Sequence, residues 1–306
     1  MRICSLLPSA TEIVYALGLG DQLVGVSHAC DYPADAATKP VVSQSVRQIT
    51  HLPSEEIDGI VQQARANGNP LYWIDGDLLR ELQPDLIITQ ELCEVCAISS
   101  GSVFETAAKV LDYQLEILTI RPNRIADILQ NVRNIAAAAG VAQHGLELSE
   151  SLQHRIQTVV SGVPDTDRRP KVLCLDWLDP LRNTGQWVPE LVELAGGREG
   201  LAVTGGLSRE LTWAEIVDYA PEYLMVMPCA FDLERVRLET SERLTTLTGW
   251  IDLPAAQMDQ VFLFDGRIPT RHGPRVVDVL EGFAEAMHPL RFAGISNSGV
   301  FVKDQQ

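Results

Sequence analysis

Leu79-Arg80-Glu81-Leu82-Gln83-Pro84-Asp85-Leu86-Ile87-Ile88 reads as a helix end, a proline–acid pair and an unbroken apolar run. A helix rarely continues through the residue before proline, and a continuous apolar run is how a parallel-sheet strand buried on both faces is written. The chain repeats the phrase from Ile216 to Ala220-Pro221-Glu222-Tyr223-Leu224-Met225-Val226. Outward from each copy lies a second repeat. Ile3 to Leu7 is an apolar run followed by Ser9-Ala10-Thr11-Glu12-Ile13-Val14 and closed by Gly18-Leu19-Gly20. Val172 to Leu175 is followed by Val188-Pro189-Glu190-Leu191-Val192 and closed by Gly196-Gly197. Two copies of one plan predict an α/β fold of two lobes with a ligand cleft between them, and the first expectation is binding rather than chemistry.

The rest of the chain fits that division. From Pro122 to about Val160 the pattern is helical, broken near Gly140, and its second half reads as a strut between lobes. The expected parts are an N-terminal lobe over 1–140, an interlobe helix and linker over 141–165, a C-terminal lobe over 166–293, and a loose tail over 294–306. At 306 residues and 46% hydrophobic content there is ample material for two cores. The formal net charge of -17 argues against nucleic-acid partners, which need a basic footprint. No apolar stretch is long enough to span a bilayer. Met1-Arg2 runs straight into the first strand with no apolar leader, so as written the protein is expected in the cytoplasm, or in the periplasm if the start is misassigned. Six cysteines are too few for a disulfide framework.

Several places carry polar or aromatic groups where a ligand would meet them. Ser9-x-x-Glu12 has capping-box spacing, and the helix it opens follows the carboxyl end of a parallel strand, where α/β proteins bind ligands. Between Asp176 and Val188 the loop holds Trp177 and Trp187, flat rings suited either to a large planar ligand or to capping the core. Arg271 and His272 precede the last long helix, as surface charge or as hydrogen-bond donors to a ligand. Cys93-x-x-Cys96 has half of a zinc-site or redox spacing and no second pair to complete it. The glycine pairs follow helices instead of opening them, so they are helix ends and not a dinucleotide fingerprint. With no P-loop, HExxH or GxSxG, no catalytic residue is singled out.

Taken in order, Leu6-Leu7-Pro8-Ser9-Ala10-Thr11-Glu12, Gly25-Val26-Ser27, Asp31-Tyr32-Pro33, the Thr89 to Ala97 segment, Trp177-Leu178-Asp179-Pro180, Trp187-Val188-Pro189-Glu190-Leu191 and Ala195-Gly196-Gly197 resemble one known family. It is the periplasmic-binding-protein-like family of ABC importers for cobalamin, iron-siderophores and haem, and within it the cobalamin-binding branch. The resemblance covers roughly residues 2 to 292 and implies two Rossmann-like α/β lobes joined by one long helix. It places ligand contacts on Ser9, Ala10, Tyr32, Gln44, Ser45, Gln90, Trp177, Trp187, Phe231 and Arg271. It places docking to a permease on Asp77 and Glu215, one acidic residue per lobe. The chain departs from the family pattern at Gln186, where histidine is frequent, at Ala230, where glycine is usual, and at His272, where proline is expected.

The resemblance therefore implies a monomeric, non-enzymatic solute-binding protein that holds a corrinoid, with cobalamin as ligand and no cofactor. Delivery to an ABC permease or a cytosolic carrier role would follow. Two alternatives stand beside it. One is a metal, haem or iron-chelate binder using Cys93, Cys96 and His28; the other is a cytosolic enzyme on the same scaffold.

Overall fold

The computed structural model describes residues 1–90, 100–113, 115–297 and 299–304. The chain divides into two compact units. Unit 1 contains Met1–His51, Gly59–Pro122 and Ala126–Leu152; unit 2 contains Leu52–Asp58, Asn123–Ile125 and the chain from Gln153 onward. Two short pieces of the N-terminal half, at 52–58 and 123–125, thus belong to the second unit, which no composition shift announces.

Unit 1 runs β1 (Ile3–Ser5), α1 (Pro8–Ala16), β2 (Leu23–Ser27), β3 (Val41–Ser45), α2 (Ser54–Ala66), β4 (Tyr72–Ile74), α3 (Gly76–Leu82), β5 (Leu86–Gln90), α4 (Ser100–Val110), β6 (Glu116–Ile120), α5 (Ile125–Ala138) and α6 (Ala142–Gly162). The first turn of α2 and the second half of α6 lie in unit 2. The sheet order is β4-β3-β2-β1-β5-β6, parallel except for β4, which pairs antiparallel with β3. Cys4, Leu6, Val42, Leu79, Ile87 and Val103 pack as a buried cluster. Short buried strands without alternation are what a sheet covered on both faces requires.

The expected capping box at Ser9 does not form. Pro8 already occupies the first turn of α1, the cap residue is Leu7 with no side-chain bond, and Ser9 and Glu12 are buried inside the helix. Proline tolerates that first position because its missing N–H has no partner there anyway. A complete capping box occurs instead between Thr212 and Glu215, at the start of the helix Trp213–Tyr219.

Unit 2 continues with β7 (Lys171–Leu178), β8 (Leu181–Asn183), α7 (Val188–Leu194), β9 (Arg198–Glu199), α8 (Trp213–Tyr219), β10 (Tyr223–Val226), α9 (Leu233–Glu239), α10 (Pro254–Gln257), β11 (Val261–Phe264), α11 (Val276–Met287), α12 (Pro289–Phe292) and β12 (Phe301–Lys303). Its sheet order is β12-β11-β10-β7-β8, with β9 pairing the start of β7. The tail is not a loose extension: β12 pairs antiparallel with β11, and Phe301 stacks on Phe264 with ring centroids 5.2 Å apart. Val300, Phe301 and Val302 bring apolar side chains to the edge of the sheet, and partly burying the phenylalanine offsets the entropy of ordering this segment.

Both units lock their proline–acid pair in the same way. In unit 1, α3 ends on Gln83 in the left-handed region (φ +41°), and in unit 2, α8 ends on Ala220 (φ +50°). The following acids clip the start of each unit's first strand. Arg2 N–H donates to Asp85 Oδ2 (2.7 Å) while Asp85 N–H donates to Arg2 O (2.8 Å). Lys171 N–H donates to Glu222 Oε1 (3.1 Å) while Glu222 N–H donates to Lys171 O (2.8 Å).

Candidate functional site

The carboxyl ends of parallel strands gather most of the candidate residues, separately in each unit. In unit 1, β1 leads to Ser9 and Ala10, β2 to Tyr32, β3 carries Gln44 and Ser45 at its end, and β5 ends on Gln90. These four strands are neighbours in the sheet, so their ends share one edge, the place where open α/β sheets take ligands. A buried polar knot fixes that edge. Thr11 donates to Ser5 Oγ (2.8 Å) and lies 3.1 Å from Cys30 Sγ, which is 3.3 Å from Ser27 Oγ. Ser9, Ala10 and Gln90 are buried, Gln44 and Ser45 half-buried, and Tyr32 is 47% exposed.

In unit 2 the ends of β7, β10 and β11 lead to Trp177, Phe231 and Arg271. Trp177 is half-buried, donates from Nε1 to Asp179 O (3.0 Å), and its ring lies 5.3 Å from that of Phe231, tilted by 55°. Offset and tilted ring pairs are the favoured aromatic geometry. The Phe231 loop is tied to its neighbours by Cys229 N–H to Asp176 O (3.0 Å) and Gly266 N–H to Phe231 O (2.8 Å). Gly266 has to be glycine, because a Cβ there would lie 1.8 Å from Pro228 O.

The two tryptophans have different roles. Trp187 is 3% exposed, spends its Nε1–H on Pro269 O (2.9 Å), and meets the His272 ring edge-on at 5.7 Å. It fills the core behind the Arg271 loop. His272 is buried as well, and burial lowers its pKa to about 4, so it packs as a neutral ring and does not sit on a solvent rim.

Asp77 and Glu215 both stand in the first turn of the helix before a proline–acid pair. The Asp77 carboxylate is 92% exposed and pairs with Arg80 on its own helix (2.7 Å). The Glu215 carboxylate accepts from Thr212 N–H (2.8 Å) and Arg209 (2.9 Å), and the Thr212 backbone bond is the leading cause of its lowered pKa.

Cys93 and Cys96 lie outside the described residues. His28 packs against Tyr72, with ring centroids 5.5 Å apart. Among the described residues no group of three or more His, Cys, Asp or Glu side chains is placed to hold a metal. Among the described residues, Glu199 is a carboxylic acid pushed up to about 7 by burial. It pairs with Val172 at the start of β7, five residues and roughly 16 Å along the strand from Trp177, and its oxygens accept from Cys174 and Leu201 amides. It braces the far end of the sheet.

Sequence reasoning missed the arginines behind the aromatic pair. The guanidinium of Arg235 lies 3.6 Å over the Phe231 ring, and Arg243 binds the Asp179 carboxylate at 2.8 Å. Nothing in their spacing marks them, since a partner of Arg235 lies 183 residues away.

Two α/β units, each presenting polar or aromatic groups at the carboxyl ends of parallel strands, make this a solute-binding protein of the ABC importer type. The chain belongs to the periplasmic binding protein family, whose model matches residues 3–268. It is 24% identical over 299 residues to an uncharacterized ABC transporter substrate-binding lipoprotein, YvrC, of Bacillus subtilis, covering 95% of this chain and 81% of that one. It is 21% identical over 287 residues to the vitamin B12-binding protein of Vibrio parahaemolyticus, covering 92% and 89%. Among solved structures, the periplasmic vitamin B12 binding protein BtuF of Vibrio cholerae superposes with a TM-score of 0.63 at 21% identity, covering 94% of this chain and 96% of that one. A periplasmic heme binding protein of Pseudomonas aeruginosa superposes with a TM-score of 0.73 at 18% identity, covering 100% and 98%. At these identities the solved structures establish the fold. No helix among the described residues is long and apolar enough to cross a membrane.

Proposed function

We propose that the chain is a non-enzymatic, monomeric carrier of a corrinoid, delivering a cobalamin-like ligand to an ABC permease. Trp177 and Phe231 are the flat contacts, with Ser9, Tyr32, Gln44, Ser45, Gln90 and Arg271 as polar ones. The observation that carries this reading is the Trp177–Phe231 pair at the carboxyl ends of β7 and β10. Two rigid rings offer a macrocycle a large contact area at small entropic cost. Vitamin B12-binding relatives that align over nine-tenths of the chain support the same ligand class. Asp77 and Glu215 are assigned to permease docking, where exposed carboxylates add electrostatic steering. The lipoprotein relative and the periplasmic vitamin B12 binding protein of Vibrio cholerae favour a place outside the cytoplasm over the cytoplasmic expectation.

The test is a titration with cyanocobalamin followed by tryptophan quenching and calorimetry. One-to-one binding is expected, with Trp177→Ala weakening it at least about tenfold while the thermal midpoint stays near that of the wild type. Saturable haem binding with none of cyanocobalamin would replace the corrinoid by the haem reading.

A further inference from the structure

Behind the aromatic pair lies a short piece of chain from far upstream. Leu52–Asp58 belongs to unit 2 although it leads into α2. Ser54, first residue of α2, is fully buried, and donates from N–H (3.3 Å) and Oγ (2.7 Å) to the carboxylate of Glu239 at the end of α9. That carboxylate caps the helix N-terminus, where negative charge is favoured. One turn earlier on α9, Arg235 donates to the carbonyl of Leu52, approaches Glu239 at 3.8 Å and holds its guanidinium carbon 3.6 Å over the Phe231 ring. Arg243 reaches Glu55 at 3.6 Å while binding the Asp179 carboxylate, and the Asp179 carbonyl holds the Trp177 indole. Arg182, opposite Trp177 on β8, pairs with Asp58 at 3.4 Å. Three arginines therefore touch the segment, and each is also bound to, or paired with, the strand and loop that hold the two rings.

We propose that residues 52–58 form a positioning strap for the Trp177–Phe231 pair, with Arg235 as its central positioning residue. The strap sets the spacing and tilt of the rings and so tunes affinity for a flat ligand without contacting it. Gln44 and Ser45, at the end of β3, lie shortly upstream along the chain, so the strap is covalently continuous with the polar contacts assigned to unit 1. The guanidinium is the necessary group. It is planar, packs over the ring and keeps in-plane donors for a carbonyl and a carboxylate, whereas an ammonium offers one point charge.

The inference rests on the ligand reading above, and the experiment separates the two. Full-length protein labelled with 5-fluorotryptophan gives one ¹⁹F resonance for each of its five tryptophans, and Trp177→Phe assigns that of Trp177. Arg235→Lys and Ser54→Ala are expected to shift or broaden the Trp177 resonance and leave the other four in place. They are also expected to weaken cyanocobalamin binding about tenfold, the scale of an aromatic pair's geometric contribution. Arg168→Lys, on an exposed pair with Glu222, is the control that moves neither. Folded variants with an unmoved Trp177 resonance and wild-type affinity would overturn the strap. If wild type binds no corrinoid, the ligand reading fails while the resonance still decides the strap. Should Arg235→Lys fail to fold, Glu55→Gln combined with Asp58→Asn carries the test with a two- to threefold effect expected.

Discussion

The two proline–acid clips are nearly superimposable in their bonding and unlike in everything attached to them. Each has a left-handed helix end, a proline, and an acid that exchanges two bonds with the residue opening the first strand. Yet the helix before the clip presents a 92% exposed Asp77 in unit 1 and, in unit 2, a Glu215 tied to both Thr212 and Arg209. The edges fed by the strands differ as well: hydroxyls and amides in unit 1, aromatic rings backed by arginines in unit 2. Backbone requirements recur wherever the same turn must be made. Side-chain chemistry is free to diverge once the turn is secured.

The sharpest way to break the parallel lies on α6. In unit 1 this helix is packed by close backbone approach: a Cβ on Gly145 would lie 2.3 Å from Ala136 Cβ. In unit 2 it is held by charge, with Arg155 bonded to Glu281 (2.9 and 2.5 Å) and Asp278 (2.6 Å) on α11. Those bonds, led by Glu281, raise the Arg155 pKa further, so the guanidinium stays charged. Arg155→Met leaves two nearly buried carboxylates without their cation. A loss of about 3 kcal/mol is expected in urea unfolding, the lower end for a buried pair because Arg155 is one-third exposed. A loss under about 1 kcal/mol would mean that apolar packing holds both halves of α6.

Glu199 gives unit 2 a pH dependence. Its folded pKa of about 7 lies above the ordinary 4.5 because burial outweighs the backbone amides it accepts. The folded state therefore holds the proton more tightly than the unfolded chain. The resulting stability is fully present below about 4.5 and is lost as pH rises through about 7, on the order of 3 kcal/mol in all. Unfolding free energies of wild type and Glu199→Gln, measured between pH 4.5 and 7.5, should differ in slope by up to one proton. Parallel curves would show that Glu199 ionises at its ordinary pKa.

The clips themselves are next. Glu222 is 23% exposed and also binds Arg168, whereas Asp85 is exposed. Glu222→Ala should lose about 2 kcal/mol and Asp85→Ala about 1 kcal/mol, since water replaces an exposed acceptor more readily. Equal losses would place the stabilisation in the shared backbone bonds alone.

The repeated clip was legible because proline, a flanking acid and a continuous apolar run are local signals with direct backbone consequences. So were α3, α7 and the parallel strands β1, β5, β7 and β10. The edge strands β4, β8 and β12 were not, because two or three residues of antiparallel pairing leave no period to read. Ser9 was misread as a cap because capping-box spacing does not reveal that Pro8 already starts the helix. Trp177 and Trp187 stand ten residues apart in a stretch that reads as one loop, and only packing separates a half-buried ring from one bonded to Pro269. The arginines behind Phe231 were invisible for a simpler reason: their partners on 52–58 arrive from another part of the chain.

The smallest expected effect tests the comparison most directly. Gln83 and Ala220 both hold left-handed backbone before a proline, a conformation that costs a side-chain-bearing residue about 1 kcal/mol and glycine almost nothing. Gln83→Gly and Ala220→Gly should each relieve that strain while adding freedom to the unfolded chain, leaving a net gain of about 0.5 kcal/mol. Because the bonds around the two sites match, the gains should agree within error in paired denaturation curves. A gain at Ala220 alone would mean that the exposed clip of unit 1 relaxes in solution and carries no strain to release. The structural repeat would then be one of geometry and not of energy.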